Sequence, residues 1–348
     1  MNNKVSIIIP IRNEEAYIRQ CLSAVFNQIN VDGIDLEIIV ADGLSTDNTR
    51  AIVKDFQHEH PNLILIDNPG KIVPTGINKA IKISQGDIIV RIDGHTTIAP
   101  DYIFQCVAAL KSTDADNVGG RMDAEGATLF GQAVSIATST PFGVGDSRFH
   151  YSTEEDWVDS VYMGAWRKEV FHKIGLFDEE LVRNQDDEFN YRLRKHGGKI
   201  LLSPKIKSKY TVRSTLKALW KQYYQYGFWK VRVLQKHPKQ MSVRQFIPPL
   251  FVSSLIISLL ASLLLPYVWL LFGLFFGYYL LVNLAVSGLT ASRNGWHHLF
   301  RLPFVFPILH ISYGLGFLVG LLKFANRWGE KVYLEPLTRP LKQQETPE

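Results

Sequence analysis

Three short segments of the chain carry acidic and polar side chains directly after runs of apolar residues. They are residues 10–15 (PIRNEE), residues 42–49 (DGLSTDNT) and residues 93–95 (DGH). A carboxylate at the end of a buried strand costs desolvation free energy unless it has a partner. Each segment alone is also typical of ordinary structure, because Thr46 or Asp47 can cap the next helix and Asp-Gly pairs are common in turns. Their recurrence after three apolar runs indicates a ligand-binding site.

A second acidic cluster lies at residues 185–188 (QDDE), at the predicted start of a helix. Acids in a first helical turn are stabilised by the helix dipole, which is a sufficient structural reason for one or two of them. A carboxylate is also suited to accept the proton of a substrate hydroxyl. The cluster is therefore a candidate for general base catalysis, with Asp186 and Asp187 as the two alternatives.

The elements that position these groups follow from short β-branched runs that alternate with segments of helical periodicity. We predict strands at Val5–Ile9, Leu36–Ala41, Leu63–Ile66 and Asp87–Ile92, and helices at Glu14–Gln28, Thr46–Gln57 and Thr75–Ser84. Continuous apolar strands of this kind are typical of a parallel sheet that is buried on both faces. The order predicts a doubly wound α/β domain, in which ligands bind beyond the carboxyl ends of the strands.

The last third of the chain has the composition of a membrane domain. Residues 246–292 contain no charged side chain, which is enough for two spanning helices of about 20 residues each with Pro266 at the turn. A third span is predicted at Leu302–Leu322, whose only ionisable group is His310. The lysines and arginine that follow would then lie on the far side, against the positive-inside rule, so that a re-entrant third segment is the alternative.

The net charge of +5 is concentrated before the first span, in a series of lysines and arginines between residues 205 and 244. By the positive-inside rule this places the α/β domain in the cytoplasm, against an anionic leaflet. Residues 216–231 have an apolar helical stripe, which predicts a helix that lies on the bilayer or one that packs on the α/β domain. The predicted organisation is an α/β domain at 1–215, a basic amphipathic juxtamembrane segment at 216–245, a membrane domain of about three helices at 246–322 and a tail at 323–348.

Several classes of function are disfavoured. A nucleic-acid partner is not expected, because the basic residues adjoin a hydrophobic span instead of forming an isolated patch. A dinucleotide cofactor is not expected either, because the loop after the first strand lacks a Gly-x-Gly-x-x-Gly sequence. Cys21 and Cys106 lie in apolar helical patterns and predict neither a disulfide framework nor a nucleophile.

The loop motifs resemble those of the family 2 glycosyltransferases with the GT-A fold, over residues 4–235. The opening VSIIIPIRNEE is similar to the family's first strand and Asn-Glu loop, which implies nucleotide-sugar contacts by Pro10, Asn13 and Glu14. The segment ADGLSTDNT is similar to the family's Asp-Asp-Gly-Ser-x-Asp-Gly-Thr motif, which implies that Asp42 contacts the nucleobase. Gly43 replaces the second Asp of that motif.

Residues 93–95 resemble the Asp-x-Asp metal motif of the family with His in the last place. The resemblance implies that Asp93 and His95 hold a divalent cation and that Asp93 also contacts the nucleotide-sugar. Carboxylate oxygen suits Mg²⁺ and Mn²⁺, whereas imidazole suits the later metals better, so that His95 favours Mn²⁺ over Mg²⁺. Direct contact of His95 with a phosphate is the alternative.

The acidic cluster resembles the family's Glu-Asp-x-Glu-Leu-x-x-Arg-Leu helix, with Gln185 in place of the first Glu. The resemblance implies that Asp186 is the general base. Gly164, in a small-residue segment, and Asp187 are implied to lie in the acceptor region, although a turn is an equal structural reason for Gly164. Phe228 stands where processive synthases have Arg in a Gln-x-x-Arg-Trp motif, so that addition of a single sugar is expected.

Among relatives, the Asp-x-His motif, the VPTGIN segment and the HISYGLGFLVG segment are most similar to bacterial exopolysaccharide glucosyltransferases of the succinoglycan type. The implied function is inverting transfer of one sugar from a UDP-sugar, UDP-glucose being the expectation, to a polyprenyl-linked oligosaccharide. Transfer to polyprenyl phosphate itself, or a catalytically inactive membrane scaffold, are the alternatives. The expected location is the plasma (inner) membrane, as a multi-pass protein in contact with membrane lipids.

Overall fold

A computed structural model describes residues 4–145, 148–330 and 337 of the 348-residue chain. Most of the predicted tail at 323–348 lies outside these residues. In the described part of the chain the strands are β1 Lys4–Ile11, β2 Asp35–Asp42, β3 Leu63–Asp67, β4 Ile88–Arg91, β5 Thr96–Ile98, β6 Asn117–Glu125, β7 Asp156–Trp157, β8 Tyr162–Arg167 and β9 Ile200–Thr211. The helices are α1 Ile18–Phe26, α2 Thr49–Glu59, α3 Val73–Ile83, α4 Tyr102–Ser112, α5 Leu129–Thr138, α6 Pro141–Val144, α7 Glu169–Ile174, α8 Gln185–Lys195, α9 Leu216–Lys236, α10 Ile247–Ser262, α11 Trp269–Asn294 and α12 Leu302–Lys323.

The first four strands form the predicted parallel sheet, in the order β3-β2-β1-β4. Strand β1 is buried on both faces, because Ile7 and Ile9 pack in one core with Leu22 whereas Ile8 packs in the opposite core with Ile77. All four predicted strands and all three predicted helices of this region are confirmed in type. The ends of β1, β2 and β4 therefore lie at one edge of the sheet, as expected.

The second half of the sheet is mixed, which the sequence analysis did not predict. Beyond β4 the order continues β8-β6-β9-β5, and β7 pairs with β9. Strand β8 is antiparallel to both β4 and β6, whereas β6 and β9 are parallel. This arrangement places β8 beside the end of β4, so that residues far apart in sequence meet next to Asp93.

Helix α9 lies along α12 with their backbones in close contact. A Cβ atom added to Gly316 would lie 2.0 Å from the carbonyl oxygen of Tyr224, and one added to Gly227 would lie 2.0 Å from the carbonyl oxygen of Tyr313. The position of Gly320 against Phe228 is similar, at 2.6 Å. Glycines on both helices are therefore required for this approach of the two backbones.

The other side of α9 packs on the α/β domain. Arg232 is 1 % exposed and donates to both carboxylate oxygens of Glu180, at 2.7 and 3.0 Å. Lys236 pairs with Asp178 and Glu180. The alternative that α9 packs on the α/β domain is therefore correct, and these two basic side chains do not face an anionic leaflet as the charge count had implied.

Three helices are long and apolar enough to cross a membrane, at Val243–Ser262, Trp269–Asn294 and Leu302–Lys323. The connection between the first two contains Pro266, as predicted. The third is the most buried, and both of its ends contact the α/β domain. Leu302 shares a hydrophobic cluster with Ala133 of α5, and Arg327, just after the helix, donates to Glu180 at 2.7 Å.

Candidate active site

A cavity of about 1220 Å³ opens at the carboxyl ends of β1 and β4 and continues between the apolar helices. Most of the predicted site residues line this cavity: Pro10, Asn13, Glu14, Asp93, His95, Asp186 and Asp187. Asp42 and Gly164 do not line it. The structure thus brings seven of the nine candidates to one place.

Asn13 joins the loops that follow β1 and β2. Its backbone is left-handed, with φ of 55°, a conformation that Asn tolerates better than most residues. Its side-chain oxygen accepts a hydrogen bond from the backbone N–H of Thr46 at 2.8 Å, and its own N–H donates to Ser45 Oγ at 2.9 Å. In this structure Asn13 holds the two loops together at the rim of the cavity. The nucleotide-sugar contact predicted for Asn13 stays a prediction.

Asp42 is fully buried beneath this rim. Its carboxylate accepts hydrogen bonds from Ser45 Oγ at 2.5 Å and from Arg50 at 3.0 Å. Arg50 also pairs with Asp67 at 2.6 Å. Contact with a nucleobase, as the motif implies for Asp42, therefore requires Ser45 or Arg50 to release the carboxylate.

Asp93 is held by Arg91, which sequence analysis missed. Arg91 Nε donates to Asp93 Oδ1 at 2.8 Å, and the backbone N–H of Asp93 faces the sulfur of Met163 in β8. Arg91 is 5 % exposed, and although burial opposes its charge, Asp93 and Asp186 raise the pKa of its guanidinium. The sequence did contain an indication of a role for Arg91, because it is the only charged residue in the otherwise apolar strand β4.

His95 and Glu14 form a pair on the cavity wall. Nδ1 of His95 lies 3.1 Å from Oε1 of Glu14, and the ring of Tyr210 packs edge-on at 5.4 Å. An imidazole that donates one N–H to a carboxylate is held in the tautomer whose other nitrogen can bind a metal. Oδ2 of Asp93 and Nε2 of His95 are the atoms that remain for a cation.

Asp93 and His95 alone do not complete the coordination of a metal ion. Within residues 4–145 and 148–330, no group of three or more His, Cys, Asp or Glu side chains is placed to hold a metal ion. One carboxylate and one imidazole fit a cation that takes its other ligands from water and from substrate phosphates, as Mg²⁺ commonly does. The residues present therefore fit a cation that binds together with a diphosphate.

Asp186 and Asp187 begin α8 and have different surroundings. Asp187 forms an ion pair with Lys230 of α9, which is 5 % exposed, and its backbone N–H donates to Asp186 Oδ1 at 3.0 Å. Desolvation by the surrounding protein, followed by repulsion from Asp187, raises the pKa of Asp186, although Arg91 opposes this. Asp186 is thus a cavity-lining carboxylate with increased proton affinity, whereas Asp187 is neutralised by a lysine.

Gly164 lies in strand β8, and its backbone explains why it is glycine. Its φ is +115°, and an added Cβ would lie 2.6 Å from the ring of Trp166 and 2.8 Å from Oδ1 of Asn117. Gly164 does not line the cavity in this structure, and the acceptor contact predicted for it stays a prediction.

Sequence analysis also missed that the long apolar helices α10, α11 and α12 complete the cavity. Its lining continues from Asp186 to Phe251 of α10, Tyr279 of α11 and Tyr313 of α12. No local pattern in the chain predicts this, because it depends on how α10 packs against α12 and on how α12 packs against α9. One cavity thus contains both the acidic groups and apolar helices of membrane length.

Comparison with known proteins places the chain among glycosyltransferases. Residues 6–175 match the family model described as Glycosyl transferase family 2. The chain is 28% identical to Succinoglycan biosynthesis protein ExoA of Rhizobium meliloti over 328 residues, which cover 92% of this chain and 96% of the relative. A second relative is a Methanococcus voltae protein named Dolichyl N-acetyl-alpha-D-glucosaminyl phosphate 3-beta-D-2,3-diacetamido-2,3-dideoxy-beta-D-glucuronosyltransferase. The chain is 31% identical to it over 242 residues, which cover 67% of this chain and 75% of the relative.

A solved structure shares the fold over nearly the whole chain. It is the mannosyltransferase PcManGT from Pyrobaculum calidifontis in complex with GDP-Man and Mn²⁺, with a TM-score of 0.57 and 17% sequence identity. The match covers 92% of this chain and 87% of the other. At this identity the likeness establishes a common architecture, which is the GT-A-like α/β fold predicted from the sequence motifs.

Proposed function

The chain belongs to glycosyl transferase family 2, and from this premise we propose that it moves one sugar from a UDP-sugar to a lipid-linked oligosaccharide, with inversion at the anomeric carbon. UDP-glucose is the expected donor, and the product serves exopolysaccharide or cell-surface glycan synthesis. The relative from Rhizobium meliloti, which is named for succinoglycan biosynthesis and aligned over nearly both full lengths, supports this role. The name of the Methanococcus voltae relative includes a dolichyl-linked sugar phosphate, which supports a lipid-linked acceptor.

The observation that carries the proposal is the continuity of the cavity. Asp93, His95 and Asp186 line its polar end, and Tyr279 and Tyr313 of the apolar helices line its other end. A donor bound at the polar end would therefore face an acceptor that enters from the membrane. A purely soluble acceptor would have no use for the apolar part of this cavity.

Asp186 acts as the general base in this proposal. An acceptor hydroxyl oxygen attacks the anomeric carbon of the sugar from the face opposite the diphosphate, the bond from that carbon to the diphosphate oxygen breaks, and the hydroxyl proton passes to Asp186. Its raised pKa suits the task, since burial and Asp187 increase its affinity for the proton. Asp187, paired with Lys230, is less available, and it holds the first turn of α8 in place.

The residues Asp93 and His95 would hold a divalent cation at the diphosphate. Such a cation, when bound, neutralises the charge that develops on the leaving diphosphate. Arg91 keeps the Asp93 carboxylate oriented, and Glu14 keeps the His95 ring in the tautomer that leaves Nε2 for the metal. The fold neighbour that carries GDP-Man and Mn²⁺ supports the expectation of Mn²⁺ or Mg²⁺.

For location, we propose a multi-pass protein of the plasma membrane with its α/β domain in the cytoplasm. Helices α10 and α11 form an apolar hairpin with most of its side chains exposed, which suits two membrane spans. Both ends of α12 contact the α/β domain, which supports a topology in which α12 lies against α9 on that side of the membrane without crossing it. This arrangement keeps Lys323 and Arg327 with the other basic residues and removes the conflict with the positive-inside rule.

The proposal is tested with purified full-length protein, a panel of nucleotide sugars, and lipid-linked saccharides extracted from membranes. We expect one UDP-sugar to release UDP, and to do so only when the lipid fraction is added. Release of no nucleotide from any donor would favour the alternative of an inactive scaffold. Equal release when polyprenyl phosphate replaces the extracted saccharides would favour direct transfer to polyprenyl phosphate.

A further inference from the structure

One face of α11 lines the cavity within the membrane part of the protein. Phe275, Tyr278, Tyr279 and Val282 are spaced i, i+3, i+4 and i+7, and all four line the cavity. Residues at this spacing form one stripe of a helix. The stripe from Val282 to Phe275 extends about 10 Å along α11, away from the α/β domain.

The side chains of α10 and α12 that adjoin this stripe are also apolar, or have their polar atoms satisfied within the protein. The ring of Phe251 in α10 stacks on Tyr279 at 4.5 Å. His310 Nε2 lies 2.8 Å from the carbonyl oxygen of Phe142, which can only accept a hydrogen bond, so that Nε2 is the donor. The other ring nitrogen, Nδ1, then accepts a hydrogen bond from the Tyr279 hydroxyl at 2.8 Å. The lining of this part of the cavity therefore presents mainly carbon to an occupant.

Cationic groups line the cavity where the apolar part meets the α/β domain. Arg213 follows β9, and Arg244 precedes α10 with its Nη2 at 3.6 Å from Asp159. Tyr313, whose hydroxyl has no hydrogen-bond partner among the described residues, lines the same region. An anionic group in this cavity would meet a guanidinium group, at Arg213 or at Arg244, while an attached chain would continue along α11.

We propose that the groove formed by Phe251, Phe275, Tyr278, Tyr279, Val282 and Tyr313 binds the isoprenoid chain of the acceptor, with its phosphate facing Arg213 or Arg244. The inference rests on the proposed function, since the occupant is the lipid part of the acceptor. Continuity with the site at Asp186 favours this occupant over an ordinary phospholipid, because the groove then positions the saccharide for attack. The groove would also set the depth at which the acceptor hydroxyl meets the donor.

Photocrosslinking tests the occupant of the groove directly. A photoreactive phenylalanine derivative replaces either Phe275, which lines the groove, or its neighbour Phe276, which is similarly exposed but does not line the groove. Full-length protein is placed in phosphatidylethanolamine–phosphatidylglycerol vesicles that contain labelled polyprenyl phosphate. We expect labelling at position 275 to exceed that at 276 and to fall when unlabelled polyprenyl phosphate is added. Equal labelling at both positions, or competition by added phospholipid alone, would overturn the proposal.

A second pair of variants distinguishes binding of the lipid chain from catalysis of sugar transfer. Val282→Trp fills the groove, and Leu281→Trp adds the same ring to a neighbouring side chain that is 66% exposed outside it. We expect Val282→Trp to raise the KM for a long-chain lipid-linked acceptor about 10-fold or more relative to Leu281→Trp, since the chain can no longer enter. UDP-sugar binding should be the same in both variants, and the loss should be smaller for a short-chain acceptor, which does not reach Val282. If the two variants have the same KM for the long-chain acceptor, the groove does not bind the chain.

The failure of the proposed function can be distinguished from the failure of the groove. If wild type transfers sugar to no lipid-linked acceptor while crosslinking at position 275 persists, the proposed function is wrong and the lipid-binding groove remains supported.

Discussion

The buried Lys230 of helix α9 forms an ion pair with the half-buried Asp187, the residue that follows the proposed base Asp186 in α8. The helix that packs along α12 therefore places a positive charge beside the first turn of α8. Burial is the largest influence on Lys230 and opposes its charge, but Asp187 holds its pKa above the usual range. Helix α9 in this way links the apolar helix α12 to the candidate active site by an electrostatic contact.

Replacing Lys230 by Met should move the acid limb of the pH–activity profile to higher pH. Burial and Asp187 raise the pKa of Asp186, whereas Lys230 lowers it, so that removal of the lysine raises that pKa further. A general base works only when it is ionised, so that activity is lost as the pH falls through its pKa. On this acid limb, a tenfold increase in the proton affinity of the base lowers activity about 10-fold at a given pH. The matched control is Lys221→Met, because Lys221 is exposed on the same helix. A uniform loss at every pH, with the limb unmoved, would show that Lys230 acts only on structure.

Asp186→Asn should abolish most of the transfer and leave UDP-sugar binding intact. An amide cannot take the hydroxyl proton, and loss of a general base typically costs about 10²- to 10⁴-fold. Asp187→Asn is expected to have the smaller effect, because its carboxylate is occupied by Lys230. Turnover and donor affinity are measured for both variants. An inactive Asp187→Asn beside a normally active Asp186→Asn would reverse the assignment of the base.

Activity should require a divalent cation, with Mn²⁺ at least as effective as Mg²⁺. The reason is the combination of one carboxylate, Asp93, with one imidazole, His95. Full turnover in EDTA would contradict a metal. His95→Asp should keep measurable activity and move the preference toward Mg²⁺, and an unchanged preference would show that His95 is not a ligand.

Glu14→Gln should weaken Mn²⁺ binding in the presence of UDP. The carboxylate of Glu14 fixes the tautomer of His95, and loss of such a partner typically costs about 10- to 100-fold in metal affinity. The measurement is electron paramagnetic resonance of free Mn²⁺, which needs no turnover. Glu15→Gln serves as the control, since Glu15 is exposed beside it. The same loss in both variants would argue against a specific role of the Glu14–His95 pair.

Trp328 should lie on the same side of the membrane as the α/β domain. Cys21 and Cys106 are buried, and burial raises the pKa of both thiols, so that they should not react with a membrane-impermeant thiol reagent. In intact cells we expect Leu264→Cys, in the turn of the hairpin, to be labelled and Trp328→Cys to be labelled only after permeabilisation. Labelling of Trp328→Cys in intact cells would instead support three spans.

The sequence was sufficient for the parts of the fold that are local. Strands such as Val5–Ile9 are continuous apolar runs between helical patterns, and a parallel sheet brings their ends to one edge. That logic placed Asp93, His95 and Asn13 at one cavity. The pairing of β8 with β4 and β6 was not predictable in the same way, since it depends on contacts between segments far apart in the chain.

The surroundings of each candidate residue were harder to predict than its position. Asp42 lies at the carboxyl end of β2, as expected, but no local pattern shows that Arg50 pairs with its carboxylate. From composition alone, the basic residues of α9 could pair with the lipids of an anionic leaflet or with carboxylates of the protein. Only the packing of α9 on α8 distinguishes the two, and it assigns Lys230 to Asp187.

The central claim is that this cavity transfers a sugar to an acceptor held by the membrane. The most direct test uses vesicles that contain full-length protein and extracted lipid-linked oligosaccharide, to which the labelled UDP-sugar is added, with the product partitioned between organic solvent and water. We predict label in the organic phase with wild type, attached with inverted anomeric configuration, and almost none with Asp186→Asn. Label that appears only in a water-soluble product, or equally with both proteins, would contradict the account.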